Sequence, residues 1–246
     1  MKYFKTILSI LIAVAVIVGI CIAISKKSNK LCNKISIDIQ YAGENKPIAA
    51  EEIVELIKTR DLVLGKKIGE IDLKAVNQAI QEENLIRSID HIAFRGERLN
   101  ITLTLEQMLL HVFSPDGGHY FITTEGKILP YTTRIKERLI IVNGNLPCEG
   151  MAQVDSGALK SVYTLAQFIS QDAELTAQYR QIHVNKKQQL ELIPTVGKHT
   201  ILLGDTTQMQ NKFARIKEFN RQILTTTKGK EYSHLDVRFK NKIIAR

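Results

Sequence analysis

Six histidines and three cysteines are the residues of this sequence best suited to metal binding or nucleophilic chemistry. The histidines show neither the HExxH spacing of a zinc site nor another ligand spacing. Two of them, His91 and His183, fall on the polar phase of predicted strands, so we expect solvated side chains. The cysteines are an odd set without a CxxC pair, which argues against a zinc site and a disulfide framework, although Cys32 and Cys148 could pair. The remaining members are His111, His119, His199, His234 and Cys21.

The serine and glycine motifs of enzymes are also missing from the sequence. Ser156 stands in Val154-Asp155-Ser156-Gly157, which is not a nucleophile elbow and is better explained as a helix cap. Neither Asp116-Gly117-Gly118 nor Leu203-Gly204-Asp205 has the glycine pattern and lysine of a phosphate loop. These absences favour a binding or scaffolding role, and we predict no cofactor and no metal.

The net charge of +9 comes from lysines and arginines that are spread along the chain and mixed with acids. There is no tryptophan, and no basic run is interleaved with aromatic residues. This pattern predicts a solvated surface, close to anionic lipid or cell-wall polymer, rather than a nucleic-acid groove.

The element that must position everything else is the uncharged stretch from Ile7 to Ile24. As a helix its eighteen residues would be about 27 Å long, close to the thickness of a bilayer core. We predict a short tail at 1–6, a transmembrane helix at 7–24 and a tether at 25–33. A cleaved signal peptide or a lipoprotein signal is the alternative, but the run is long and Ile20 precedes Cys21. Lysine counts on the two sides would by themselves leave the following residues in the cytoplasm.

Residues 34–106 have the pattern strand–helix–helix–strand–strand. Ile35, Ile37 and Ile39 alternate with polar residues, a helix follows Pro47, and Asp72 is placed to cap a second helix. Two strands follow, at 89–94 and 99–105, joined by a turn at 95–97. Two amphipathic helices on one face of a three-stranded sheet satisfy this pattern, and the order is that of a POTRA domain.

Residues 107–246 consist mainly of short predicted strands. A hairpin is predicted at 120–129, strands at 139–142, 182–184, 190–193 and 200–203, and strand-like pieces at 234–239 and 242–245. One helix is predicted after a cap at Asp155 or Ser156, and another after Thr206 or Thr207 with the apolar stripe Met209, Phe213, Ile216 and Ile223. The predicted fold class is α+β: a mainly antiparallel β-domain with packed helices that follows the POTRA domain and the transmembrane helix.

Several segments of the second half resemble the FtsQ/DivIB family of bacterial division proteins. Residues 200–205, TILLGD, followed by 212–216, KFARI, are similar to the strand–Gly–helix block of that family. Residues 234–239, HLDVRF, are similar to its closing motif, and 120–130, YFITTEGKILP, to its hairpin. The sequence departs from the family pattern at 107–110, QMLL, where an Arg-x-Pro is often found. The short tail and the end of the chain at Arg246 are further departures.

The resemblance implies a non-enzymatic scaffold in the cytoplasmic (inner) membrane, with the N-terminus inside and the bulk outside, at the division septum. It implies recruitment of later division proteins, chiefly the FtsB–FtsL pair, and a part in regulating septal peptidoglycan synthesis. Other divisome proteins would contact the POTRA domain and the span. The alternatives are a membrane-tethered cell-envelope enzyme, which would need a Cys, Ser or His–Asp cluster, and a POTRA-type assembly or secretion partner.

The same resemblance implies a partner site at a sheet edge formed by the last strands. Apolar contacts would come from Val237, Phe239, Ile243 and Ile244, while lysines would guard the edge against self-pairing. The alternative is that these apolar residues simply close the core. The complete predicted set is Asp236, Val237, Arg238, Phe239, Lys240, Lys242, Ile243, Ile244, Gly204 and Asp205.

Overall fold

The computed structural model describes residues 13–18, 28–42, 46–146, 153–155, 157–224 (without the side chains of 223 and 224), 232–240 and 242–246. They divide into two units, Met1–Glu106 and Gln107–Arg246. Most of the predicted span, Ile7 to Ile24, lies outside the described residues, and residues 13–18 are helical with exposed side chains. Among the residues described, no helix combines the length and apolar character needed to cross a membrane.

The first unit is a three-stranded sheet with two helices on one face. Its elements are β1 (Lys34–Gln40), α1 (Ala50–Thr59), α2 (Leu73–Gln81), β2 (Ile86–Arg95) and β3 (Arg98–Leu105). The strand order is β1-β3-β2, with β1 parallel to β3 and β2 antiparallel to it. The predicted order of elements is therefore confirmed over these residues.

Local sequence explains how these elements begin and end. The Asp72 side chain accepts hydrogen bonds from the backbone N–H groups of Lys74 and Ala75, which confirms the predicted cap of α2. The hairpin between β2 and β3 turns at Gly96, whose φ of +64° suits glycine because it has no Cβ.

The strict alternation in β3 decides which face is buried. Leu99, Ile101, Leu103 and Leu105 are at most 2% exposed, whereas the residues between them are half-buried. Buried side chains of the two helices complete this core: Ile53, Ile57, Val76, Ala79 and Ile80.

The second unit contains a nine-stranded mixed sheet. Its strands are β4 (Met108–Phe113), β5 (His119–Thr123), β6 (Ile128–Pro130), β7 (Ile140–Gly144), β8 (Tyr179–Val184), β9 (Leu190–Pro194), β10 (Thr200–Gly204), β11 (His234–Asp236) and β12 (Ile244–Ala245). The order across the sheet is β12-β11-β10-β9-β8-β7-β4-β5-β6. Three of its pairings are parallel, namely β4 with β7, β7 with β8, and β10 with β11, and the others are antiparallel.

The helices of this unit are α3 (Gly157–Ser170), α4 (Ala173–Gln178) and α5 (Met209–Phe219). The predicted helices correspond to α3 and α5, and their buried residues join those of the sheet in one core. Phe213 of α5 packs against Phe168 of α3, with ring centroids 5.1 Å apart, and against Tyr179 at the start of β8.

Several boundaries differ from the prediction. The strand β4 was not predicted, because its apolar residues do not alternate: Met108, Leu109 and Leu110 are all buried. The predicted cap of α5 at Thr206 or Thr207 is wrong, since Gln208, with a φ of 52°, precedes the helix and Thr207 bonds to Asp205 instead. Ser156 lies outside the described residues. Ile223 lies in a π-helical turn, Asn220–Leu224, beyond the end of α5.

The first prediction concerns the core of the first unit. Leu103→Ala should lower the free energy of unfolding by about 2–5 kcal/mol, because Leu103 is completely buried and the truncation leaves a cavity. Thr102→Ala, on the opposite face of β3, should cost less than about 0.5 kcal/mol. Urea unfolding of the first unit measures both values, and equal losses would contradict the register of β3.

Candidate partner-binding site at the carboxyl-terminal edge

The predicted site residues lie in two segments that pack side by side at one edge of the nine-stranded sheet. Gly204 ends β10 and Asp205 follows it, while Asp236 ends β11, which runs parallel to β10. The chain then loops and returns as β12, the outermost strand. The strand predicted at 234–239 is therefore shorter in the structure, where it ends at Asp236.

Gly204 brings the two segments into contact. Its φ is +81°, and a Cβ atom there would lie 2.8 Å from Cγ and 2.9 Å from Cδ of Arg238. The aliphatic stem of Arg238 therefore lies across the glycine backbone, and a larger residue at 204 would displace it. Glycine is needed at this position both for its conformation and for the close approach.

The Asp205 carboxylate pins the turn between β10 and α5. Lys212, a buried lysine of α5, donates from Nζ to the Asp205 backbone oxygen at 2.9 Å and to Oδ1 at 2.8 Å. Thr207 donates to the same carboxylate oxygen from its hydroxyl and from its backbone N–H. These hydrogen bonds, that of Lys212 above all, lower the pKa of Asp205 to about 2.

Asp236 and Arg238 form a two-pronged ion pair. Arg238 donates from Nε to Oδ1 at 2.9 Å and from Nη2 to Oδ2 at 2.6 Å, and its backbone N–H also reaches Oδ1. This hydrogen bonding lowers the pKa of Asp236. Because the two residues are close in sequence and the Arg238 stem also lies on Gly204, the ion pair fixes the direction of the guanidinium.

The loop between β11 and β12 is held by Arg215 of α5. Its guanidinium donates to the backbone oxygen atoms of Val237, at 3.0 Å, of Lys242, at 3.0 Å, and of Phe239. Sequence reasoning missed this role, although Arg215 belongs to a segment that resembles the family block. Spacing could not have shown it, because the acceptors are backbone atoms and carry no side-chain signature.

The apolar residues of the site differ in exposure. Val237 is completely buried and donates its N–H to the Leu202 oxygen at 3.1 Å, which fits the alternative interpretation that this residue closes the core. Phe239 is 40% exposed, with Lys242 Nζ 5.3 Å from its ring centroid. Ile243 and Ile244 are half-buried, and Ile243 packs on the core cluster. Lys240 and Lys242 are exposed.

The register of β12 shows which backbone groups face outward. His234 and Arg246 exchange two hydrogen bonds, of 3.1 and 3.0 Å, while Leu235 lies opposite Ala245. In an antiparallel pair, bonded and non-bonded positions alternate, so the N–H and C=O groups of Ile243 and Ala245 point away from β11. Among the described residues no strand pairs with that outer side. The result is an edge that can accept another strand.

The histidines do not assemble a ligand set. His91 is exposed, as expected, whereas His183 is half-buried with Nδ1 2.8 Å from Oδ1 of Asn143 and is therefore only partly solvated. Nε2 of His111 lies 3.2 Å from Nδ1 of His119, and burial lowers the pKa of His111. In the described part of the chain, no group of three or more His, Cys, Asp or Glu residues is arranged to hold a metal ion.

Comparison with protein families matches both units. Residues 108–246, more than half of the chain, match the family described as FtsQ/DivIB, C-terminal related. The chain belongs to this family. Residues 30–104 match the POTRA-like domain, in agreement with the predicted fold of that part. A comparison with curated proteins gave no match.

Membership in this division-associated family gives the carboxyl-terminal edge its biological setting. The match to residues 108–246 includes the β10 turn, Arg215 of α5, and the β11–β12 loop. The parts that pack together at the edge therefore all lie within the matched region.

The second prediction tests the Asp205–Lys212 pair. Asp205→Asn should lower the free energy of unfolding at pH 7 by about 1 kcal/mol, because the buried ammonium loses a charged acceptor. Because the folded pKa is below the unfolded value, the carboxylate stabilises the fold above about pH 4 and ceases to do so as the pH falls toward 2.

Urea unfolding of the second unit at several pH values measures this difference. The gap between the wild type and Asp205→Asn should narrow from pH 5 to pH 2. Asp172→Asn is the matched control, because asparagine can still cap α4 there. A gap that stays constant down to pH 2 would contradict the assigned ion pair.

Proposed function

We propose that this protein is a non-enzymatic scaffold of the bacterial division machinery that captures a partner strand along β12. The family membership supports the division role, and the outward backbone groups of Ile243 and Ala245 are the observation that carries the mode of binding. Strand addition of this kind supplies affinity through main-chain hydrogen bonds and specificity through neighbouring side chains.

The side chains around the edge suit a partner segment that is amphipathic and extended. Phe239 offers an exposed ring beside the strand, and Ile243 and Ile244 offer half-buried apolar surface. Lys240 and Lys242 place positive charge along the same edge, which opposes pairing with a second copy and favours an acidic partner. Asp236, Arg238 and Gly204 hold the loop in place next to this surface, and Asp205 holds the adjacent turn between β10 and α5.

The partner we propose is an FtsB–FtsL-like pair of division proteins, with a consequent role in regulating septal peptidoglycan synthesis. We also propose that residues 34–106 are the POTRA domain and 107–246 the β-domain of a single-pass inner-membrane protein. Its span is residues 7–24, between the tail at 1–6 and the tether at 25–33. Other divisome proteins would bind the POTRA domain and the span.

The third prediction concerns the edge itself. Ile243→Pro should leave the second unit folded and abolish partner capture, because proline is tolerated on an edge strand but lacks the N–H that a partner would use. Ile243→Ala keeps that N–H and should only weaken capture. Circular dichroism checks folding, and pull-down from solubilised membranes measures capture. Capture at wild-type affinity by folded Ile243→Pro would place the binding surface elsewhere.

The fourth prediction separates recognition from core packing. Phe239→Ala should weaken capture at a small cost in stability, because this ring is 40% exposed. Phe213→Ala removes a ring that is only 6% exposed and should cost about 3–5 kcal/mol. The same pull-down and urea unfolding compare the two variants. A larger stability loss in Phe239→Ala would mean that Phe239 belongs to the core.

The fifth prediction concerns topology. An alkaline phosphatase fused after Arg246 should be active, and a fluorescent reporter that folds only in the cytoplasm should be dark at the same position. This orientation is expected from the apolar run at 7–24 together with the family membership, although the local lysine count alone would favour the opposite one. The opposite result for both fusions would refute the proposed orientation, and with it the proposal that the two domains act in division on the outer side of the membrane.

A further inference from the structure

The outer face of the three-stranded sheet carries three cations in one row across all its strands. Lys34 of β1 lies opposite Arg98 of β3, and Arg95 of β2 lies opposite the same arginine. The neighbouring Leu99 is buried on the helix side, so these three side chains project from the opposite face. All three are exposed.

Like charges at directly opposite positions destabilise a sheet, so the row needs an explanation. Adjacent strands are about 4.7–4.9 Å apart, which keeps the three charged groups within reach of one ligand. Across the described ranges, none of the three cations takes part in an ion pair. The nearby carboxylate of Glu97 accepts a hydrogen bond from Asn33 at 3.0 Å.

The row forms one end of an open cavity of about 730 Å³. This volume lies within the range of about 300–1,000 Å³ that is typical of ligand sites. The lining continues along the strands with Ser36 and Asn100 and ends at Asp38, Thr102 and His91. One row of side chains thus separates the three cations from Asp38, the acidic residue on the strands of this cavity, while Glu97 of the turn lines its positive end.

We propose that the row Lys34–Arg98–Arg95 is a phosphate-binding site whose ligand is the headgroup of an anionic phospholipid. The phosphodiester of such a headgroup has two charged oxygen atoms and two ester oxygen atoms arranged tetrahedrally, so donors can approach it from several directions, whereas the two oxygen atoms of a carboxylate lie in one plane. Arginine forks suit phosphate geometry, and lysine adds a compact charge.

The lipid source, unlike the phosphate site itself, rests on the proposed membrane span. The tether at 25–33 reaches at most about 30 Å when extended, which keeps the start of β1 close to the membrane surface. Basic groups that come within a Debye length of an anionic membrane, about 10 Å at 0.1 M salt, are attracted to it, and a tether of this length permits that approach.

The test uses the full-length chain in lipid nanodiscs at low salt, with thermal unfolding as the readout. Discs that contain phosphatidylglycerol should raise the melting temperature of the first unit by several degrees over discs of phosphatidylcholine alone. The rise should disappear in Lys34→Gln/Arg95→Gln/Arg98→Gln and persist in Lys186→Gln/Lys187→Gln/Lys198→Gln. The second variant removes the same charge from exposed lysines of the other unit.

Two further arms identify the ligand. In the first arm, inorganic phosphate is added to phosphatidylcholine discs, which contain no anionic lipid. A rise in melting temperature equal to that with phosphatidylglycerol would support a phosphate site but would assign free phosphate as its ligand. In the second arm, polyglutamate added to the same discs offers carboxylates instead of phosphate. The proposal would be overturned by a rise in melting temperature that survives in the Lys34→Gln/Arg95→Gln/Arg98→Gln variant, or by one that only polyglutamate causes.

A structural role of the row is excluded if the Lys34→Gln/Arg95→Gln/Arg98→Gln variant melts no lower than the wild type in phosphatidylcholine discs. A clear loss of melting temperature in those discs would also overturn the proposal. Partner capture by the carboxyl-terminal edge is measured separately, and failure of the membrane span would appear as failure to enter the discs.

Discussion

The geometry of the carboxyl-terminal edge depends on one guanidinium, that of Arg215. The loop directs the backbone oxygen atoms of Val237, Phe239 and Lys242 toward α5, and an intramolecular hydrogen bond to a charged donor contributes about 1.5–3 kcal/mol. Arginine has five donors in a rigid fork and can serve several acceptors at once. Because Arg215 binds the backbone of this loop, the side chains of Phe239, Lys240 and Lys242 remain available for recognition.

The same arrangement makes an exposed edge tolerable. The outermost strand, Ile244–Ala245, is very short and has lysines beside it, and both features oppose pairing between identical chains. The buried residues Leu235 and Val237 anchor the loop from within, while Gly204 and the Asp236–Arg238 pair fix its outer side. A partner strand would therefore meet a surface that is already ordered, which reduces the entropy lost on binding.

Much of the fold and of the candidate site could be predicted from the sequence wherever one local rule decided the outcome. Alternation gave the buried face of β3, and a single aspartate gave the start of α2. Prediction failed where a distant contact or an unusual backbone conformation decided instead. Burial of Val237 depends on β10, the start of α5 depends on the left-handed Gln208, and the role of Arg215 depends on backbone acceptors more than twenty residues away. The row of Lys34, Arg98 and Arg95 became visible only when the strand order was known.

Amide hydrogen exchange on the second unit, with and without the proposed FtsB–FtsL-like partner, is the most direct test of strand addition at β12. The account predicts that the N–H groups of Ile243 and Ala245 become strongly protected on binding, while that of Ile244, which already faces β11, changes little. Protection of amides elsewhere on the unit, with Ile243 and Ala245 exchanging as fast as in the free protein, would contradict it.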